Sequence, residues 1–223
     1  MCGRFALKNP LALKAAFDLA ELPENLTPRY NIAPSQDIAI IRADVNGRRI
    51  SLAHWGLIPS WTKDSGKSYS TINARAETVD TKPTYRGSFK HHRCLIPADG
   101  FYEWHKEDGI KIPHHIGMKD GSPFALAGLW DVWKGPQGDV TSCTIIVTEA
   151  NQFMKRLHDR MPVMLSPHDY ERWLDPDNKD TTSLKQLLAP APNDWLTEWT
   201  VSRQLNNPRH EGSSCAEPAS YID

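Results

Sequence analysis

The chain has no apolar run approaching the ~20 residues that a membrane-spanning helix needs, and it has no charge of one sign to spare. Lys and Arg number 26 against 27 Asp and Glu, for a net charge of −1. That balance excludes a protein held to nucleic acid or membrane by its overall charge, so a polyanion site must be a local patch. Cysteine is scarce. Cys2, Cys94, Cys143 and Cys215 are scattered, with no Cys-x-x-Cys pair, which argues against a zinc knuckle or disulfide framework and for reduced thiols in a cytosolic setting. Internal repeats and low-complexity linkers are lacking. Arg4 and Lys8 precede no apolar stretch of the kind a signal peptide carries, so none is expected.

What is there suits one domain. A chain of 223 residues, 39% hydrophobic, can bury one good core. Residues 10–20 place apolar side chains at helical spacing behind Pro10. DIAIIR (37–42) and ISLAHW (50–55) read as a strand pair joined by a turn containing Asn46-Gly47. FALAGLW (124–130) and SCTIIVT (142–148) read as buried strands with GPQGD in the loop between them. Ser166 as N-cap and Pro167 at the first position predict a helix ending near Leu174, because Pro176 disfavours a helical Asp175. From Pro208 the sequence is polar and aperiodic, which predicts a loosely packed tail over 208–223 behind a domain of 1–207. The expected fold is α+β: a single domain, mostly antiparallel sheet with a barrel-like core and short peripheral helices.

Four stretches set polar residues among apolar ones: MCGRF at the start, INARAET (72–78), CLIPADGFYEW (94–104) and LHDRMP (157–162). Each has an ordinary explanation. Cys2 can be a small buried hydrophobe, Asn73 a backbone-bonding turn residue, Glu103 a half-exposed strand residue, and His158-Asp159 a solvated loop pair. Together they supply a nucleophile, an amide, a carboxylate and an imidazole, the minimum for proton-managed covalent chemistry.

These stretches, with YNIAPSQ (30–36) and WGLIPSW (55–61), resemble in content and order the SRAP family of SOS-response-associated peptidase-like proteins. The resemblance runs from residue 2 to about 205. It implies a sensor and shield for abasic sites in single-stranded DNA, whose N-terminal cysteine forms a covalent crosslink with the sugar aldehyde. By motif position the family's reactive residues fall on Cys2, Asn73, Glu103 and His158. Its phosphate-binding arginines are similar to Arg4 and Arg75, and KPTYR (82–86) offers either Lys82 or Arg86 as a further contact. No ligand cluster with metal spacing is present, so no metal and no cofactor are expected, and the chain is expected to act as a monomer in the cytoplasm, near the nucleoid in a bacterium.

The residue chemistry agrees. Removal of Met1, which the small side chain at position 2 permits, leaves Cys2 with an α-amine whose pKa is ordinarily about 7.7–8.0. That amine can condense with the open-chain aldehyde of an abasic sugar, and the neighbouring thiol can then close a five-membered thiazolidine intramolecularly. Glu103 among aromatics is expected to act as acid and base, His158 to shuttle protons and Asn73 to hold the amine or a sugar hydroxyl. Arg75 alternates onto the face of Asn73, where it can clamp a phosphate. Thr81 to Ala98 contains no acid but holds Lys82, Arg86, Lys90 and Arg93, a basic stretch that reads either as a DNA surface or as a solvated face. Trp61, ahead of Trp55, is the candidate for base stacking. Two rival readings remain at this level: an N-terminal-nucleophile cysteine peptidase or amidohydrolase, and a non-catalytic single-strand-binding module.

Overall fold

The computed structural model describes residues 2–63 and 71–219. Its strands, in chain order, are β1 (Phe5–Leu7), β2 (Arg29–Ile32), β3 (Asp37–Asp44), β4 (Gly47–Trp55), β5 (Asn73–Arg75), β6 (Arg93–Ala98), β7 (Gly100–Glu107), β8 (Ile110–Met118), β9 (Phe124–Gly135), β10 (Gly138–Glu149), β11 (Arg160–Pro162), β12 (Met164–Leu165) and β13 (Leu196–Thr200). The helices α1 (Leu13–Ala16), α2 (Arg86–His91), α3 (Tyr170–Leu174) and α4 (Thr181–Lys185) reach at most six residues. Among the described residues no helix is long and apolar enough to cross a membrane.

Five strands close on themselves in the order β10-β4-β3-β6-β9 and back to β10, with β4 and β10 parallel and the other pairs antiparallel. This small barrel is the expected antiparallel core. A second, open sheet runs β13-β8-β7-β1-β2. The main core fills the barrel and the space between the sheets. β6 is buried along its whole length, as a strand covered on both faces must be.

The passage from barrel to open sheet takes one residue, Asp99, between β6 and β7. Its backbone N–H donates to Ala6 O, and its carboxylate accepts the N–H groups of Lys8 and Asn9. Gly100 follows because a side chain there has no room: a Cβ would lie 2.1 Å from the ring of His115. That ring stacks on Trp199, 4.4 Å between centroids.

Local expectations mostly survive. β3 and β4 form the hairpin, with Asp44 opposite Gly47, so the turn is Val45-Asn46 and Gly47 flanks it at φ 104°. Ser166 caps a 3-10 turn that runs into α3, which ends at Leu174. The helix read over 10–20 is shorter. Residues 10–12 form a 3-10 turn, α1 ends at Ala16, and Asp18 turns the chain at φ 52°. The expected GPQGD loop shrinks to Pro136-Gln137, because Gly135 and Gly138 pair in the ladder.

Two expectations are corrected. Residues 208–219 are docked rather than loose. Cys215 is buried, Trp199 Nε1 donates to Ala216 O at 2.9 Å, and the Glu211 carboxylate accepts the N–H groups of Tyr30 and Asn31. Arg93 is no part of a basic surface. It is 4% exposed, and its guanidinium donates to the carbonyls of Phe89, Lys90, Trp173, Asp175 and Asn178. It holds the end of α2 to the segment following α3.

Candidate active site at the amino terminus

β1 pairs antiparallel with β7, Phe5 opposite Phe101 and Ala6 opposite Gly100, and Tyr102 N donates to Arg4 O at 2.9 Å. The ladder therefore carries the first residues alongside Glu103. Alternation along β7 sends Phe101 and Glu103 to one face and Tyr102 and Trp104 to the other. Phe101 joins the main core, whereas Tyr102 and Trp104 pack in a smaller one with Val201, Leu205 and Cys215. Glu103 is thus held at the polar end of an apolar layer and is 3% exposed. Cys2 is fully buried.

β5 reaches the same place by running parallel to β10, Asn73 opposite Ile145 and Arg75 opposite Val147. Ala74 is buried, and Asn73 and Arg75 share the opposite face, with Arg75 exposed. The Asn73 side-chain amide donates to Cys2 O at 3.1 Å. Its own carbonyl is held by the hydroxyl of Tyr85 at 3.1 Å.

His158 follows the 3-10 turn Met154–Arg156, and its backbone N–H donates to Met154 O at 2.9 Å. Nδ1 accepts the N–H of Arg160 at 2.9 Å, so a neutral ring carries its proton on Nε2. Nδ1 is also 2.8 Å from Asp159 Oδ1. The two contacts exclude one another. Arg160 N–H serves the neutral ring, and Asp159 serves the imidazolium. An ion pair between Arg160 and Glu77 fixes this loop to the segment after β5.

The electrostatics follow from burial. Desolvation pushes the Glu103 carboxyl up to about 7. The positive charge of the amino terminus opposes that rise and Asp159 adds to it. Burial, then the nearby Glu103, push the Cys2 thiol well above its ordinary value. Burial and the amino-terminal charge lower His158, with Asp159 opposing. At neutral pH the site holds a neutral thiol, a carboxyl near its midpoint and a neutral imidazole. Cys2, Asn73, Glu103 and His158 thus come together from four separate stretches of chain.

The expected DNA contacts divide. Arg4 turns inward: Nη1 donates to Asn31 Oδ1 at 2.5 Å and Leu205 O at 2.9 Å, and the guanidinium lies over Trp104. Lys82 and Arg86 are exposed on either side of Tyr85. Trp61 is 65% exposed, whereas Trp55 is fully buried with its Nε1 bonded to Ile72 O. Trp61 faces α2 across a cavity of about 220 Å³ lined by Pro83, Gly87 and His91. Tyr85, Asp159 and Asn31 have no role at the site in the sequence reading, although each lies in a quoted stretch. Asn31 lies inside a quoted motif, YNIAPSQ, but its three carbonyl partners (Leu205, Asn207 and His210) are 174 to 179 residues away.

The model of the SOS response associated peptidase (SRAP) family matches residues 1–208. The chain is 42% identical to abasic site processing protein YoaM of Bacillus subtilis over the full length of both. It is 33% identical to abasic site processing protein HMCES of Xenopus tropicalis, over 84% of this chain and 65% of that one. A crystal structure of a protein from Bacteroides thetaiotaomicron superposes with a TM-score of 0.85 at 26% identity, covering 98% of this chain and all of that one.

Proposed function

The chain belongs to the SRAP family, and from that premise we propose that it captures abasic sites in single-stranded DNA as a covalent crosslink through Cys2. The observation that carries the reading is the convergence on Cys2 of an amide bonded to its carbonyl and a buried carboxyl poised near neutrality. The relatives named as abasic site processing proteins support the substrate class.

The steps follow from this wall of groups. Once Met1 is removed, the Cys2 amine is a nucleophile. Glu103 in its acid form protonates the ring oxygen of the closed sugar while the anomeric hydroxyl loses its proton, which opens the aldehyde. The amine adds to C1′, and the resulting carbinolamine loses water to give an imine, with Glu103 or His158 supplying the proton for the departing hydroxyl. The thiol is neutral at rest, so sulfur attack needs a base. Glu103 as carboxylate takes the thiol proton, the S–C1′ bond forms, and the ring nitrogen is protonated. Proximity of amine and thiol on adjacent carbons makes closure intramolecular. Asn73 fixes the Cys2 carbonyl so that the amine is presented in one orientation. Arg75, on the same face as Asn73, engages the adjoining phosphate, with Lys82 or Arg86 and the exposed Trp61 along the strand.

Intact-mass measurement after incubation with an abasic oligonucleotide tests the proposal. The expected product carries the DNA mass less one water. A sample verified to retain Met1 should give no heat-stable adduct, because the Cys2 nitrogen is then an amide and the Met1 amine has no thiol on the adjacent carbon to close the ring. Efficient heat-stable crosslinking by that sample overturns the mechanism, and turnover of peptide substrates without an adduct favours a peptidase.

A further inference from the structure

Behind Glu103 a polar row crosses three strands. Glu103 on β7 stands directly opposite His114 on β8, a pairing that sets the two Cβ atoms ~5 Å apart on one face of the sheet. On the next strand, β13, Thr200 is opposite His114 and Glu198 is opposite Ile116, so Glu198 lies diagonally across on that same face. Its Oε2 is 2.5 Å from His114 Nδ1, and its Oε1 is 2.8 Å from the Arg156 guanidinium. An ionised carboxylate only accepts, so Nδ1 carries the proton of this contact, and the acceptor lone pair that the ring offers in its neutral form is on Nε2. His114 is 8% exposed, and Nε2 makes no hydrogen bond among the described residues.

The apolar members of this face, Phe101, Ile116 and Leu196, belong to the main core. The row therefore marks where the layer between the sheets turns polar, at Glu103. Arg156 lies two residues before His158, so the row also ties the strand of Glu103 to the loop of His158. Packing alone does not explain an imidazole here, because an apolar ring fills the same space without burying a polar nitrogen.

We propose that His114, anchored by Glu198 and Arg156, is a positioning residue for Glu103: its Nε2 accepts the acid form of the carboxyl, directly or through one water, and keeps that form populated at neutral pH. The inference rests on Glu103 being the proton-transfer group of the proposed reaction. The other titratable groups around Glu103 are Cys2 and the amino terminus, Asp159 and His158 from the loop, and His105 farther along β7, whose ring is 6.3 Å from that of His114.

The test is a carbon-13 NMR titration of labelled glutamate carboxyls in the free protein, with the Glu103 signal assigned by its loss in Glu103→Gln. His114→Phe keeps an aromatic ring and removes the acceptor, so the Glu103 midpoint should fall by about half a pH unit or more. Glu198→Gln removes the charge that fixes the tautomer and should move it the same way, while His114→Gln, which retains an acceptor, should stay near wild type. Crosslinking at neutral pH should slow in the first two. Pure packing makes the opposite forecast, since an apolar neighbour desolvates the carboxylate and raises its midpoint. A midpoint unchanged or raised in both variants overturns the proposal. If His114→Phe does not fold, Glu198→Gln decides alone. If wild-type protein forms no adduct with abasic DNA, the proposed function fails, while the carboxyl titration still decides this coupling.

Discussion

The amide of Asn73 reaches the carbonyl of Cys2 across 3.1 Å, joining residues 71 positions apart. Tyr85 holds the Asn73 backbone from the other side, so the contact is braced. Asn73→Asp replaces the donor by an oxygen that faces another oxygen. Leaving a buried acceptor without its donor costs about 1–3 kcal/mol, so crosslinking should slow roughly tenfold. Single-turnover rates on denaturing gels measure this. A wild-type rate in the aspartate variant removes Asn73 from the mechanism.

Glu103→Gln separates function from stability. The glutamine keeps size and most hydrogen bonding but cannot exchange a proton, so crosslinking or its reversal should slow by about 100-fold. Stability should move the other way. The folded carboxyl titrates at about 7 against an ordinary value of 4.5, so between those values the native state holds more protons than the unfolded chain. Stability from this group is therefore complete below the lower value and is lost as pH rises toward the upper one. The glutamine variant escapes that loss and should be more stable than wild type at pH 8, by at most ~3 kcal/mol, with no advantage at pH 4. Thermal melts at both pH values check it. Equal melting temperatures at pH 8 show that burial does not perturb Glu103.

Much of this was legible because short strands put their chemistry in short motifs. The strand pairs at 37–55 and 124–148 carry their own turn residues, and a barrel of such strands needs no long helix. The Arg93 error has a physical origin. Its neighbours Lys90, His91 and His92 read as a solvated face, but β6 is covered on both sides, so its first side chain turned inward to find five carbonyls. The tail was misread for a related reason. Its hold comes from Glu211 and Asn31 bonding to distant backbone, which leaves no apolar period to detect. His114 sits in IKIPHHIGM beside His115, and nothing local distinguishes the imidazole that faces Glu103 from the one stacked on Trp199.

Arg75 tests the electrostatic side of binding. It is exposed, on the same face of β5 as Asn73. Arg75→Ala should weaken noncovalent binding of abasic single strands and flatten its salt dependence by about 0.7 in the log–log slope, the value for one phosphate contact on a single strand. Fluorescence anisotropy over a salt series reads both. An unaltered slope and affinity return Arg75 to a structural role beside Glu77.

Cys2→Ser, with Met1 still removed, separates the two halves of the nucleophile. The α-amine remains, so condensation with the aldehyde should proceed to an imine that borohydride traps. The hydroxyl is a far poorer nucleophile than a thiolate, and Glu103, titrating near 7, is too weak a base to activate it. Ring closure should therefore fail. Without reductant the serine adduct should vanish on heating, while the wild-type adduct persists. The imine left open also acidifies the neighbouring C2′ protons, so β-elimination and strand cleavage should rise in the variant. A denaturing gel of both proteins with abasic single-stranded DNA, with and without borohydride, displays all of these outcomes. An equally heat-stable serine adduct without reductant excludes the thiazolidine and moves the durable bond to another side chain.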